Sequence, residues 1–326
     1  MGNSIFKGLV VALCLSAASS LSALAAEPAK VTLAFIGVTA SNWPGLVAQE
    51  KGFFRDEGID VDWLQSGQSS KSAQQVAAGV ADIGSSSMVD TFRAIDGGGD
   101  LTIFANSLSQ GIYSLVAKPS VHSIQDLKGQ RVIVGGQKDI TALWWNAAAK
   151  HFNMDPDKDV ELLFAGSTSN RFAALMSGGV DAAVIGAPTN FNAIDKGFTD
   201  LGPIASYMGD FPMMIYHANT AWATKNKDKL VAFVKAHNRA VRYMLDPNNK
   251  QEVAEILAKA SNADVKDCLR TLDMAIAAHA FVPDGGITPA ALEHVQSTLA
   301  DSGDLQKPLK PLSAFYDPKY VEAAAK

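Results

Sequence analysis

The chain has 326 residues, 28 of them lysine or arginine and 33 aspartate or glutamate, for a formal net charge of −5. This mildly acidic balance, with no basic run, argues against a nucleic-acid partner. The cysteine count is two, Cys14 and Cys268, which excludes a disulfide-stapled scaffold.

Lys7 precedes an apolar run from Leu9 to Leu24, and Ala23-Leu24-Ala25 has the small-x-small form of a cleavage site. Together they predict a secretory signal peptide over residues 1–25. The run is short for a membrane span. Leu13 is bulkier than the residue a lipidation site places before its cysteine, so the expected product is a soluble exported protein. Its roughly 300 residues suffice for two lobes with their own cores. With Cys268 as its one cysteine it holds no internal disulfide, which suits a bacterial periplasm.

Val31 to Val38 reads as a buried strand, followed by a helix over Trp43 to Lys51. Phe53-Phe54 then lies between Gly52 and Gly58, and Gly58 is placed to end a helical turn with positive φ. The alternation of Ile59, Val61 and Trp63 marks a second strand. Ser72 to Ala78 reads as helix, Asp82 to Ser85 as strand, Met88 to Asp96 as helix and Leu101 to Asn106 as strand. A second series repeats the order: Arg131 to Val134 (strand), Thr141 to His151 (helix), Val160 to Phe164 (strand), Ser169 to Met176 (helix) and Ala182 to Ile185 (strand). Alternating strands and helices predict an α/β fold with doubly wound sheets.

Gly79-Val80-Ala81-Asp82 and Gly178-Gly179-Val180-Asp181 both place Gly-x-x-Asp between a helix and a strand, which predicts two similar lobes. From about Lys225 the pattern is helical. An apolar stripe from Leu230 to Leu245 stops at Pro247, and Val253 to Ala260 and Val265 to His279 follow. Thr288-Pro289 is an N-cap with proline at the first helical position, opening a helix to about Leu299. These helices are expected to cover the sheet of the first lobe.

No P-loop, dinucleotide fingerprint or nucleophile elbow occurs. The six histidines show no ligand spacing, and His237 and His279 fall on helical stripes, where a core or interface histidine is the expectation. No metal site and no cofactor is predicted. Small polar loops instead end the predicted strands: Thr39 to Trp43, Gly67 to Ser70, Ser85 to Ser87, Gly135 to Lys138 and Gly186 to Asn190. Open α/β sheets bind ligands at this edge, where helix N-termini present free N–H groups.

The segments EKGFFRDEGIDVDW, GVADIGSSS, DLKGQRVIVGG and SGGVDAAVIGAP, in this order, resemble the periplasmic substrate-binding proteins of nitrate/sulfonate/taurine-type ABC importers. The wider family includes binding proteins for thiamine-pyrimidine precursors. The resemblance implies the two-lobed periplasmic-binding-protein fold, with two doubly wound sheets joined by two hinge crossings near Ala117-Lys118-Pro119 and His217-Ala218-Asn219. Lobe one would then comprise residues 26–117 and 217–326, and lobe two residues 118–216. The implied partners are a small-molecule ligand and an ABC permease with its ATPase, and the expected state is a monomeric, non-catalytic binding protein. A related fungal enzyme, thiamine-pyrimidine synthase, carries a cysteine-rich motif and an essential histidine; the one mature cysteine here does not match it. A ligand-sensing accessory protein would use the same physics.

The candidate ligand-binding residues are Asn42, Trp43, Gln68, Ser69, Ser70, Ser86 and Ser87 from lobe one and Gly136, Gln137, Thr141, Pro188 and Thr189 from lobe two. Trp43 is expected as a wall, Phe211 as a second wall, and at most one of Trp144 and Trp145 at the cleft. Ser69 and Ser70 serve equally well as helix caps. The leading ligand expectation is a small organic anion, an alkanesulfonate or aromatic acid, with Lys71, Lys138 and Arg171 as candidate cations. A pyrimidine-like heteroaromatic is the alternative.

Overall fold

The structure, a computed structural model, describes residues 27–326. The expected signal peptide and Cys14 lie outside the described residues. The chain begins β1 (Ala29–Phe35), α1 (Trp43–Glu50), α2 (Phe53–Asp56), β2 (Ile59–Gln65), α3 (Ser69–Ala77), β3 (Ile83–Ser87), α4 (Met88–Asp96) and β4 (Leu101–Leu108). It continues with β5 (Tyr113–Ala117), β6 (Arg131–Val134), α5 (Ile140–His151), β7 (Glu161–Phe164), α6 (Thr168–Met176), β8 (Ala182–Gly186), α7 (Thr189–Asp195) and β9 (Thr199–Pro203). β10 (Met214–Asn219) is followed by α8 (Thr220–Lys225), α9 (Lys227–Leu245), α10 (Lys250–Ser261), α11 (Val265–Ala277), α12 (Pro289–Asp301) and α13 (Lys319–Ala324).

Two five-stranded sheets result, in the orders β2-β1-β3-β10-β4 and β7-β6-β8-β5-β9. The first three strands of each are parallel. The fourth runs antiparallel to both neighbours. The fourth strands are exchanged: β5 joins the second sheet as soon as the chain leaves β4, and β10 returns to the first sheet only after the second is built. Segments 109–112 and 209–213 therefore carry the chain between the sheets, and Gln110 Nε2 ties the two by donating to the Gly209 carbonyl at 2.6 Å.

The expected crossings lie too late in the chain. Ala117 ends a strand inside the second sheet, and His217-Ala218 sits within β10 of the first. Lys118-Pro119 and Asn219 look like breaks because they terminate strands, Asn219 by capping α8 through Trp222 N. The passages themselves are short and marked by Gly111 and Gly209. The segments belonging to the two sheets are thus 27–108 with 214–326, and 113–203.

The repeated Gly-x-x-Asp has a single physical role. Gly79 and Gly178 close their helices at φ 70° and 72°, a conformation without penalty for glycine. Three residues later each aspartate accepts a backbone N–H of the lobe's first parallel strand, Asp82 from Thr32 at 2.8 Å and Asp181 from Arg131 at 2.9 Å. The motif locks the third strand to the first.

Phe53 and Phe54 are scaffold, with Phe54 stacked on Phe233 of α9 at 5.2 Å. α9 packs on α1, α2 and β2, and α10 on α1 and α11, so the C-terminal helices cover the first lobe as expected. α11 also reaches α7 of the second. α11 stops at Ala277, leaving His279 beyond the helix at φ 49° instead of on its stripe. No helix among the described residues is long and apolar enough to cross a membrane.

Candidate functional site

A cavity of about 370 Å³ opens between the lobes at the carboxyl ends of the parallel strands. Its first wall is the loop after β1, Val38 to Ser41. Thr39 Oγ1 accepts from Ser41 N and so fixes this loop, while Asn42 Nδ2 donates to Ser85 Oγ at 3.2 Å behind it. The second wall combines Ile112 and Tyr113 at the start of β5, Thr168, Ser169 and Phe172 on α6, and Gly186 to Thr189 after β8. The third is the turn from α10 to α11, Ser261 to Asp264, together with Asp267. Asn262 ends α10 in the left-handed conformation at φ 54°, and Asp264 opens α11 two residues on.

The lining is aromatic and hydroxylic, and its ionisable groups other than Tyr113 are two carboxylates, Asp264 and Asp267. Asp267 is offset by Arg270 Nη1 at 3.2 Å; that guanidinium also reaches Asp195 of α7 at 2.9 Å and lies over the Phe191 ring at 4.1 Å. Asp264 is exposed and has no ion pair among the described residues. No lysine, arginine or histidine lines the cavity.

Pro188 and Thr189 are the two predicted residues that line it. Trp43 is not a wall: it is fully buried and donates from Nε1 to the Val253 carbonyl at 2.9 Å, pinning α1 to α10. Phe211 is likewise core, edge-on to His294 at 5.5 Å. Both tryptophans of α5 are buried. The loop serines are occupied within the fold. Ser69 Oγ accepts from Ser87 N at 2.8 Å, Ser86 Oγ meets Thr91 Oγ1 at 3.0 Å, and Ser87 Oγ caps α4 at Asp90 N. Thr141 Oγ1 accepts from Gly135 N at 2.7 Å, while Gln68, Ser70 and Gln137 are exposed and Gly136 is half-buried, all outside the cavity lining.

The candidate cations do not converge. Lys71 is exposed. Arg171 is 2% exposed and directs its N–H groups at the carbonyls of Val184, Ala165 and Gly166 and at Thr168 Oγ1. Lys138 lies outside the cavity lining and its Nζ contacts Asp304 Oδ1 at 2.6 Å. Arg93 holds the other Asp304 oxygen at 2.6 Å and donates to the Lys138 carbonyl at 2.6 Å. Burial works against the Asp304 charge, but these two partners hold its carboxyl below the usual range. This cluster and the one around Asp195 are ion pairs that bridge the lobes.

Sequence reasoning missed Tyr113, Phe172 and the α10–α11 turn. Tyr113 opens β5, a strand the sequence reading did not assign, and its Ile-Tyr-Ser-Leu-Val run carried the signal. The turn belongs to helices far along the chain, where only Asn262 and Asp264 mark it. A second, larger cavity of about 690 Å³ lies beside the passages, among Gly111, Gly209, Phe191 and Met274. Among the described residues no cluster of histidine, cysteine and carboxylates has the makings of a metal site, and Cys268 is buried, its thiol pushed up to about 11 by desolvation.

A family profile described as NMT1/THI5 like matches residues 40–250. The putative binding protein YtlA of Bacillus subtilis (strain 168) is 24% identical over 81% of this chain and 80% of its own. The 4-amino-5-hydroxymethyl-2-methylpyrimidine phosphate synthase of Candida albicans (strain WO-1) is 26% identical over 62% of this chain, which spans 63% of that enzyme. The alkanesulfonate-binding protein SsuA from Xanthomonas axonopodis pv. citri, bound to MOPS, superimposes with a TM-score of 0.73 at 16% identity, covering 89% of this chain and 99% of that one. At such identity the likeness speaks for the fold alone. With the profile spanning most of both lobes, the chain belongs to the NMT1/THI5-like family and has the two-lobed periplasmic-binding-protein fold.

Proposed function

We propose that this protein is the extracytoplasmic solute-binding component of an ABC importer and that it takes a small, flat heteroaromatic of the aminopyrimidine type without turning it over. The observation that carries the ligand class is the lining. Tyr113, Phe172 and Pro188 offer faces for a ring, and Asp264 is a carboxylate with no cation beside it. An exposed aspartate at the rim favours an amine or N–H donor and works against an oxyanion. The main support for a small organic anion is the start of α6, where Thr168 and Ser169 face the cavity. No lysine or arginine side chain reinforces that start from the lining.

The strand exchange supports closure as the capture mechanism. Both passages are short, so the lobes can rotate about them while each sheet stays intact. Residues 27–108 with 214–326 would move against 113–203, delivering the bound solute to a permease at the outer face of the membrane. The hydroxyls of the lining have no histidine or lysine beside them in it to activate a nucleophile, which supports binding over catalysis.

Denaturing mass spectrometry of the protein purified from its host identifies the resident ligand, and calorimetry against aminopyrimidines and alkanesulfonates ranks the classes. X-ray scattering on saturation reports closure. A sulfonate bound tightly, with aminopyrimidines inert, refutes the ligand class; a converted product released from the protein refutes the non-catalytic reading.

A further inference from the structure

We propose that the cavity beside the passages is a second binding site, for a small uncharged apolar molecule that touches both lobes and holds them together. The inference goes beyond the solute-binding reading and does not rest on it.

At about 690 Å³, against about 370 Å³ for the cavity at the strand ends, it has a size usual for ligand sites, which concentrate at the junctions of domains. One wall is made by the passages themselves, at Gly111 and Gly209. Trp144 lies against that wall: a Cβ on Gly111 would come within 2.3 Å of the indole and 3.1 Å of the Ala205 methyl group. Phe191 of α7, Pro203 at the end of β9 and Ala205 form the side of the second lobe. Met274, Ala277 and Ala278 at the end of α11 form the side of the first. A rotation about the passages therefore reshapes this cavity along with the cleft.

The polar side chains of the lining already have partners within the fold. Gln110 Nε2 donates to the Gly209 carbonyl, Ser206 Oγ donates to the Pro203 carbonyl at 2.7 Å, and Ser114 Oγ accepts from Asn190 Nδ2 at 3.1 Å. Asp200 Oδ1 accepts from Gly202 N at 2.9 Å, and Asp273 pairs with Lys250 at 2.6 Å. Arg270, the one cation of the lining, is shared between Asp195 and Asp267 and covers the Phe191 ring. What is left for an occupant is apolar surface, whose burial supplies the driving force. Two carboxylates against one engaged guanidinium work against an anion. Arg270 and Phe191 also form a joint between α11 of the first lobe and α7 of the second. An occupant packed on both residues binds the joined state better than a parted one, and so favours it.

The test uses the mature protein and a matched pair of fluorescent probes, N-phenyl-1-naphthylamine and its sulfonated analogue 1-anilinonaphthalene-8-sulfonate, each followed by its own emission. The neutral probe is expected to bind saturably and about tenfold or more tighter than the sulfonate, which would bring a charge to apolar walls. Ala277→Trp and Ser206→Trp fill the cavity from exposed positions on opposite lobes, and each should weaken the neutral probe about tenfold. If one of them fails to fold, the other decides. Ser169→Trp fills the cleft cavity instead and should leave the neutral probe unchanged. Weakening by Ser169→Trp would place the probe in the cleft, and weakening by none of the three would make it a general surface binder; either result overturns the proposal. So does a lack of saturable binding, or a sulfonate that binds as tightly as the neutral probe. Scattering judges the effect on the lobes. The radius of gyration should fall or stay unchanged on saturation with the neutral probe, and a rise would show that it wedges the lobes apart and overturn the proposal.

Discussion

His217 should make this protein lose stability in acid, and a single substitution should remove that loss. The side chain lies in the middle of β10, opposite Gly84, where any Cβ would come within 2.3 Å of the imidazole. It is fully buried and neither ring nitrogen has a partner among the described residues. Desolvation pushes its pKa down from 6.5 to about 3. The folded state therefore keeps the ring neutral while the unfolded chain takes up a proton below pH 6.5. The stability this represents is intact above the unfolded pKa and drains away as pH falls toward the folded one. Between pH 7 and pH 5 the loss is about 2 kcal/mol for this one group. His237, pushed down to about 4 by burial with a 3.4 Å contact to Asn238 Oδ1 opposing it, adds a similar slope. Urea denaturation of the wild type and of His217→Leu at both pH values measures the effect. The leucine loses no hydrogen bond, so it should match or exceed the wild type at pH 7. Its advantage should widen by roughly 2 kcal/mol at pH 5. An advantage that stays constant across the two pH values would refute the reasoning and show that the ring is protonated, or hydrated, in the fold.

Trp43→Ala should cost about 3–5 kcal/mol of stability, because it empties the junction of α1 with α10, and leave the affinity of the folded fraction unchanged. Denaturation combined with calorimetry separates this from a cleft role, which would lower affinity at constant stability. Lys138→Ala removes the arm of the Asp304 cluster that crosses between lobes; its side chain is 70% exposed, so melting should hardly change. Closure should weaken by the modest worth of such a pair, about 0.2–1 kcal/mol, seen as an affinity loss of up to about fivefold and a larger radius of gyration. A compact unliganded variant with unaltered affinity would show that the pair contributes nothing to closure. Gly186→Ala presses a methyl group on the Tyr113 ring and should cut ligand affinity about tenfold at a stability cost of about 1–3 kcal/mol. Retained affinity would mean that Tyr113 is free to withdraw from the cavity.

The sequence by itself determined the α/β class, the helix-covered first lobe and the kinship of the two lobes, because these depend on short-range periodicity and turn chemistry. Gly79 and Gly178 need positive φ and Asp82 and Asp181 stand three residues on, so both copies are readable in place, although each carboxylate's partner lies 50 residues earlier in the chain. Thr288, capping its helix three residues away at Ala291 N, is readable in the same way. The tertiary structure decided what local pattern leaves open. Which sheet β5 and β10 join is a matter of pairing between strands far apart in the chain, and moving a strand across shifts the hinge. Trp43 has the setting of a loop aromatic until α10, more than 200 positions later, supplies the Val253 carbonyl and covers it. The polar loops looked like a binding surface because serine and threonine serve ligands and helix caps with the same hydroxyl. Only the folded neighbours show that most of these hydroxyls are already engaged. The charge of the cavity was hidden in the same way: Arg171 and Lys138 sit at helix starts in the sequence, but packing turns one into a ring of carbonyls and the other toward Asp304, leaving Asp264 to set the sign.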